Sequence, residues 1–410
     1  MDFTFLHAAD LHLGSPLTGL AMKDEDVARR FAAASREAFS ELVARALTEK
    51  VAFVLIAGDV YDGDWKDTSI GLFFNREVAR LARAEIPVYF IRGNHDAESE
   101  ITKAVLLPDS VMEFSTRKAE TKRIEALKVA IHGRSFPDRA ASDNYALTYP
   151  AAVPGWFNIG MLHTSLEGNA AHAVYAPCSM GDLVSRGYDY WALGHVHDYA
   201  VLNENPWVVY SGNLQGRSVR ECGPKGAVLV DVRDGSIAGL RPLIVDKARW
   251  LHETVDISGL DDERLLDDML RESLRLPLAQ SEGRLSAVRV TLTGTTPLHG
   301  TIKAQLASRR DDLQALMNHL HEDAWLESLK ITTREPHAAR IEASGGLDPQ
   351  ALLAGLESDD EIRAQARDMI ALVKSKMPAA FSEDGLDDLD SLLADARALA
   401  TARALNGTGH

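Results

Sequence analysis

The sequence is short of cysteine, of basic residues and of long apolar runs, and each shortage removes a class of protein. Its 410 residues include only Cys178 and Cys222, which allow neither a disulfide framework nor a CxxC zinc ribbon. Two reduced thiols are what a cytoplasmic chain carries. No run approaches the roughly 18 apolar residues of a membrane span. The opening MDFTFLHAADLHLG lacks a basic segment and is broken by histidines and aspartates, so it does not read as a signal peptide. Lys and Arg number 44 against 60 Asp and Glu, a net charge of −16. Free-standing nucleic-acid binders show the opposite balance, because neutralising phosphates drives their affinity. Any role on DNA therefore needs positive charge from bound divalent ions or from a basic partner.

What remains is a globular composition, with 46% hydrophobic and 25% charged residues. The length predicts two or three domains. From residue 1 to about 245, short apolar runs alternate with helical patterns. The runs are FTFLHAAD, VAFVLIAGD, IPVYFIRGNHD, KVAIHGR, WFNIGMLH, YDYWALGH and WVVYSGN; helices are predicted near Asp24–Lys50 and Ser69–Ala84. This rhythm reads as α/β with a largely buried sheet. Beyond Trp250, SAVRVTLTG and WLESLKITTR read as strands around a helix over Ala307–Leu320, a small α+β unit spanning about 250–340. After Gly345-Gly346 comes a net acidic tail, 346–410. Its apolar residues fall at helical spacing in Glu361–Met377 and again in Leu386–Leu405.

Most of the early runs end in Asp, Asn or His. In order they give Asp10-Leu-His12, Gly58-Asp59-Val-Tyr-Asp62, Gly93-Asn94-His95-Asp96, His163 and Gly194-His195-Val-His197. His195 and His197, two apart in extended backbone, project the same way. One such cluster arises by chance. Five at strand ends do not, since a core would not collect buried polar groups without a ligand. The chemistry that needs this set is a pair of divalent ions roughly 3.5–4 Å apart, which binds a phosphate ester and activates water. An anion must bridge the two ions. Mixed imidazole, carboxylate and amide donors suit Mn²⁺ or Fe²⁺ better than Mg²⁺.

The order D-x-H, G-D-x-x-D, G-N-H-D, H, G-H-x-H resembles the calcineurin-like metallophosphoesterase superfamily over about the first 215 residues. HAADLHLGSPL, AGDVYDGDW, RGNHDAESEIT, HTSLEG, ALGHVHD and YSGNLQGRS are similar to bacterial SbcD-type DNA-repair nucleases, especially the YhaO-like branch. The resemblance implies a four-layer α/β/β/α core over 1–245, followed by a small α+β capping domain and a C-terminal helical segment. It implies one ion on Asp10, His12, Asp59 and His197, and a second on Asp59, Asn94, His163 and His195, with Asp59 as the bridge. His95 would face the scissile phosphate as a catalytic group and Asp62 would pair with it. It further implies a Mn²⁺-dependent DNA nuclease (Fe²⁺ being the alternative ion), a homodimer, whose tail binds the coiled coil of an SMC-like, SbcC-type ATPase.

Blander roles stand beside these. Asp10 and His12 fit a capping turn, Asp96 the cap of a helix beginning near Glu98, and His163 a satisfied core histidine. His7 and His132 lie in apolar runs outside the motif and are expected in core or loop roles. Arg217 and Arg220 fit either phosphate contact or a solvated surface, and Asn213 a place in the site floor. The tail stripes fit self-packing as well as docking. Two other functions compete: a phosphatase or cyclic-nucleotide phosphodiesterase on small substrates, and a non-catalytic scaffold for the ATPase.

Overall fold

Alternation along the apolar runs decides the architecture. In the first strand, Phe3 and Phe5 enter one apolar layer while Leu6 and Ala8 enter another, so the strand is buried on both faces. The computed structural model describes residues 2–15, 25–62, 68–98, 107–138, 143–166, 175–336, 359–376 and short helical pieces between 389 and 397. The chain divides into two compact units, Met1–Trp250 and Leu251–His410.

In the first unit the strands in chain order are β1 (Phe3–Ala8), β2 (Val54–Ala57), β3 (Val88–Ile91), β4 (Val111–Glu113), β5 (Glu120–Ile124) and β6 (Val129–Gly133). They continue with β7 (Phe157–His163), β8 (Tyr190–Gly194), β9 (Ala200–Glu204), β10 (Trp207–Tyr210), β11 (Gly226–Arg233) and β12 (Ser236–Ile244). They form two six-stranded sheets, ordered β12-β11-β1-β2-β3-β4 and β5-β6-β7-β8-β10-β9. The central strands of each sheet run parallel, β1-β2-β3-β4 in one and β6-β7-β8-β10 in the other. Antiparallel strands finish the edges.

The inner faces meet in an aromatic-rich layer containing Phe3, Phe5, Phe53, Tyr89, Phe157 and Tyr190. Outside the first sheet lie α1 (Glu25–Glu49) and α2 (Thr68–Arg83), which bury Phe39, Leu42, Val43, Phe74 and Val78 against Leu6, Ile56 and Phe90. Short helical turns and loops bring Phe136, Tyr149 and Leu183 against Trp191 and Leu193 outside the second. The order of layers is the expected α/β/β/α.

Each of the seven expected runs forms a strand, and the two early helices match to within a residue. The β11–β12 hairpin was not among the expected elements. Its signal is Asp234-Gly235, whose φ values of 51° and 76° make the tight turn. In the second unit, β13 (Ala248–Asp256), β14 (Leu285–Thr293) and β15 (Ala324–Ile331) form a three-stranded sheet. A helix absent from the sequence reading, α4 (Glu263–Ala279), buries Leu266, Leu270, Leu274 and Leu278 beside Leu313 and Met317 of α5 (Leu306–Leu320). In the tail, α6 (Asp360–Lys376) leaves Met369 67% and Val373 45% exposed. Gly345-Gly346 and most of Leu386–Leu405 lie outside the described residues. Among the described residues, no helix is long and apolar enough to cross a membrane.

His7 and His132 are held within the sheets. The Tyr190 hydroxyl donates to His7 Nδ1 across 2.9 Å, and Nε2 donates to the Leu193 carbonyl across 3.2 Å, so the ring is neutral. His132 stacks on Tyr188 at 4.3 Å and bonds to Thr121 and Asn158. Burial pushes His7 down to about 3, against the Leu193 carbonyl bond. Unfolding releases it to its ordinary value near 6.5, so its contribution is complete above that pH and is lost on acidification toward 3. The slope is about 1.4 kcal/mol per pH unit. In His7→Gln, the stability lost between pH 6.5 and 5 in urea with EDTA should shrink by roughly 2 kcal/mol relative to the parent. An unchanged loss would contradict a neutral buried ring.

Candidate metal centre

Parallel strands deliver their C-terminal ends to one edge of a sheet, where polar groups collect. Here two sheets do so side by side. Asp10 follows β1, Asp59 follows β2, Asn94 and His95 follow β3, His163 ends β7, and His195 and His197 follow β8. The loops are laced together by backbone bonds from Asp10 to Gly58 (2.9 Å), His12 to Asp59 (3.0 Å) and Leu13 to Val60 (2.9 Å). Asp10, His12, Asp59 and His195 all have positive φ, at 52°, 42°, 53° and 97°. Such backbone is costly for non-glycine residues and persists where the surroundings enforce it. Glycines allow the approach: a Cβ on Gly194 would collide with the Ala57 carbonyl oxygen, and one on Gly93 with the Asp59 carboxylate.

Asp59 is the hub. Its Oδ2 lies 3.3 Å from His163 Nε2 and 3.9 Å from His12 Nε2, while Oδ1 accepts the His95 amide at 2.9 Å. His12 Nε2 and His197 Nε2 face each other across 3.2 Å, and His197 Nε2 lies 3.8 Å from Asp10 Oδ1. Asn94 Oδ1 accepts from His163 Nε2 at 3.0 Å. The His195 ring packs edge-on to His163 at 5.3 Å, and its amide donates to both oxygens of Asp10. Three triplets, Asp10–His12–His197, Asp10–Asp59–His163 and His12–Asp62–His95, offer ligand atoms within 4.8 Å of one another among the described residues.

These residues fit divalent ions. Asp10 and Asp59 are 1% and 2% exposed, a pair of carboxylates that burial penalises unless cations neutralise them. Without metal the neutralising charge is a proton on His163. Burial opposes it, but Asp59 prevails and raises that imidazole to about 9, with Asp59 itself driven far below the carboxylate range. His12 is held near 3 by burial and then by the Arg217 charge, and its buried Nδ1 lies 3.6 Å from Asp62 Oδ1. The outer nitrogens are fixed in the way metal-binding imidazoles need: His163 Nδ1 donates to the Ala57 carbonyl at 3.0 Å, and His197 Nδ1 to Glu221 Oε1 at 2.8 Å.

His95 borders the cluster, its ring edge-on to His12 at 5.0 Å. Its Nδ1 lies 3.0 Å from Asp62 Oδ1, leaving Nε2 as its other polar atom. The side chain is 29% exposed, against 19% for His197, 2% for His12 and 0% for His163. Burial disfavours its charge, yet the Asp62 bond and the Asp59 and Asp62 charges outweigh it and raise its pKa. Asp96 differs from expectation. The short helix α3 (Asn94–Glu98) begins before it, so it caps no helix at Glu98. Its carboxylate instead accepts the amides of Val60, Tyr61 and Gly93, tying two site loops together.

Asn213 is fully buried and donates to the Gln215 carbonyl and to Glu221, placing it beneath the site. Arg217 spans Glu221 at 3.0 Å and Asp62 at 3.7 Å, while Arg220 is exposed. Sequence reading passed over Glu221 and Lys225, whose Nζ donates to the His197 carbonyl at 2.9 Å. Only their nearness to the quoted YSGNLQGRS marked them, because a single acid or lysine carries no periodicity.

The calcineurin-like phosphoesterase family matches residues 3–199, and the middle domain of metallophosphoesterase YhaO matches 250–334. The chain is 33% identical over 353 residues to the "Uncharacterized metallophosphoesterase YhaO" of Bacillus subtilis (strain 168), covering 85% of each. It is 25% identical over 273 residues to "DNA double-strand break repair protein Mre11" of Sulfurisphaera tokodaii, 63% of this chain and 67% of that one. Against a Staphylococcus saprophyticus protein named as a component of the nuclease SbcCD it is 23% identical over 273 residues, 58% and 69% of the two chains. A third of positions shared along most of both chains, on a fold that gathers acids and imidazoles at parallel strand ends, makes this chain a calcineurin-like metallophosphoesterase of the YhaO family.

Proposed function

We propose that the chain is a metal-dependent deoxyribonuclease subunit that hydrolyses phosphodiester bonds and works with an SMC-like, coiled-coil ATPase in DNA double-strand-break repair. The observation that carries the hydrolytic centre is Asp59, one buried carboxylate within 3.3 Å and 3.9 Å of imidazoles from two different sheets. Asp10, His12, Asp59 and His197 would hold one ion, and Asp59, Asn94, His163 and His195 the other. Mn²⁺ suits this mixture of imidazole, carboxylate and amide, with Fe²⁺ next. When bound, the pair supplies Lewis acidity toward a phosphate and lowers the pKa of water.

The protein's own groups do the rest. Asp62 fixes His95 through Nδ1, so Nε2 carries the proton toward the leaving oxygen. Asp96 keeps the loops carrying Asp59 and His95 in register. Buried aromatic walls such as Phe136, whose ring stands 5.7 Å from His163, keep water from the rear of the centre. The second unit serves as a cap that selects the shape of DNA, and the tail, with the exposed Met369 and Val373, as the ATPase-binding segment. The names of the relatives support DNA as the substrate. Partner and ions also supply the positive field that a chain of net charge −16 lacks.

His95→Ala should lower Mn²⁺-dependent cleavage of linear duplex DNA on the order of 10²–10⁴-fold, while metal analysis of the purified variant matches the parent. Loss of metal together with activity would make His95 a ligand instead. A substrate panel separates the competing enzyme: DNA cleavage should accompany turnover of bis-p-nitrophenyl phosphate. Rapid hydrolysis of nucleotides with intact DNA would move the protein to small-substrate phosphatases or cyclic-nucleotide phosphodiesterases.

A further inference from the structure

The two halves of the centre are supported differently. His163 is oriented by main chain, through its Nδ1 bond to the Ala57 carbonyl. His197 is oriented by side chains drawn from one stretch, residues 213–225. Glu221 Oε1 accepts from its Nδ1 at 2.8 Å and Lys225 Nζ donates to its carbonyl at 2.9 Å, with the Asn213 backbone N–H donating to that same carbonyl at 3.3 Å. Glu221 is itself held from several sides. Asn213 Nδ2 and the Arg217 amide donate to Oε2 at 2.9 Å and 2.8 Å, and the Arg217 guanidinium donates to Oε1 at 3.0 Å. The same guanidinium lies 3.7 Å from Asp62, which holds His95 at 3.0 Å. A continuous line of charged contacts therefore joins His197 to His95, without passing through Asp10 or Asp59.

We propose that Glu221 is a positioning residue for His197. It fixes the ring so that Nε2 points beside His12 and Asp10, and Arg217 locks it there while sharing its charge with Asp62. The inference rests on the two-ion reading above. A carboxylate behind an imidazole fixes its tautomer and strengthens it as a donor, and removing such a partner costs roughly 10–100-fold in metal affinity. Arg217 accordingly belongs to the scaffold of the centre more than to phosphate recognition, since Glu221 and Asp62 already engage its guanidinium.

The test is calorimetric titration of the metal-free full-length chain with Mn²⁺, in the parent, E221Q and E221A, with urea unfolding of each metal-free protein alongside. The parent takes up two ions. One ion should weaken by roughly 10-fold in E221Q, which keeps an acceptor, and nearer 100-fold in E221A. The other should bind as in the parent, and resistance to urea should change little in E221Q. Two ions bound with unaltered affinity in both variants would overturn the proposal. So would equal weakening of both ions together with loss of stability, since that marks a general structural role. A parent that binds fewer than two ions would overturn the functional reading itself, and this inference with it.

Discussion

One buried carboxylate, placed where two parallel sheets converge, sets the terms for the rest of the centre. Asp59 is 2% exposed, and Asp10, equally buried, stands in the neighbouring loop. Two such anions cannot remain charged in an apolar interior without cations. Protonated His163 can balance one of them, and His12 is held neutral by burial and the Arg217 charge. The loops therefore fold around a deficit of positive charge. The left-handed backbone at Asp10, His12, Asp59 and His195 is the cost of aiming their side chains at one point. Glycines at 58, 93 and 194 let the loops come close enough for this.

The two-sheet design explains how residues separated by more than a hundred positions meet. Each parallel strand needs a crossover, so successive strand ends arrive at the same edge from distant parts of the chain. The aromatic layer shared by Phe5, Phe53, Phe157 and Tyr190 sets the spacing of the sheets. His7, hydrogen-bonded between Tyr190 and the Leu193 carbonyl, crosses the same gap just behind the centre. The layer that holds the fold also sets the distance between Asp59 on one sheet and His163 on the other.

Much of this was legible from the chain, for definite reasons. Strands buried on both faces read as continuous apolar runs, and strand-end histidines and aspartates stand out because packing cannot account for them. The family resemblance added an expected division of ligands between two ions, and a pairing of His95 with Asp62, whose groups lie 3.0 Å apart. Other features lacked a sequence signal. Asp96 looked like a helix cap, because nothing in its neighbourhood reveals that the amides it accepts include those of Val60 and Tyr61, over thirty residues earlier. Glu221 and Lys225 support His197 only through tertiary contacts. The helix α4, with its leucines every fourth residue, was overlooked although its periodicity is plain and Pro277 lies only in its last turn.

Acidity and function also meet at the centre. A chain with sixteen more acids than bases must obtain its attraction for phosphate from elsewhere. On the proposed reading, a pair of divalent ions beside Asp59 would supply it at the point of chemistry, since Arg217, 23% exposed, is flanked by Asp62 and Glu221. Anomalous scattering from crystals soaked in Mn²⁺ tests this most directly. The account requires two peaks about 3.5–4 Å apart on either side of Asp59, and no paired peaks in Asp59→Asn. A single peak, or an empty cleft in the unaltered protein, would contradict it.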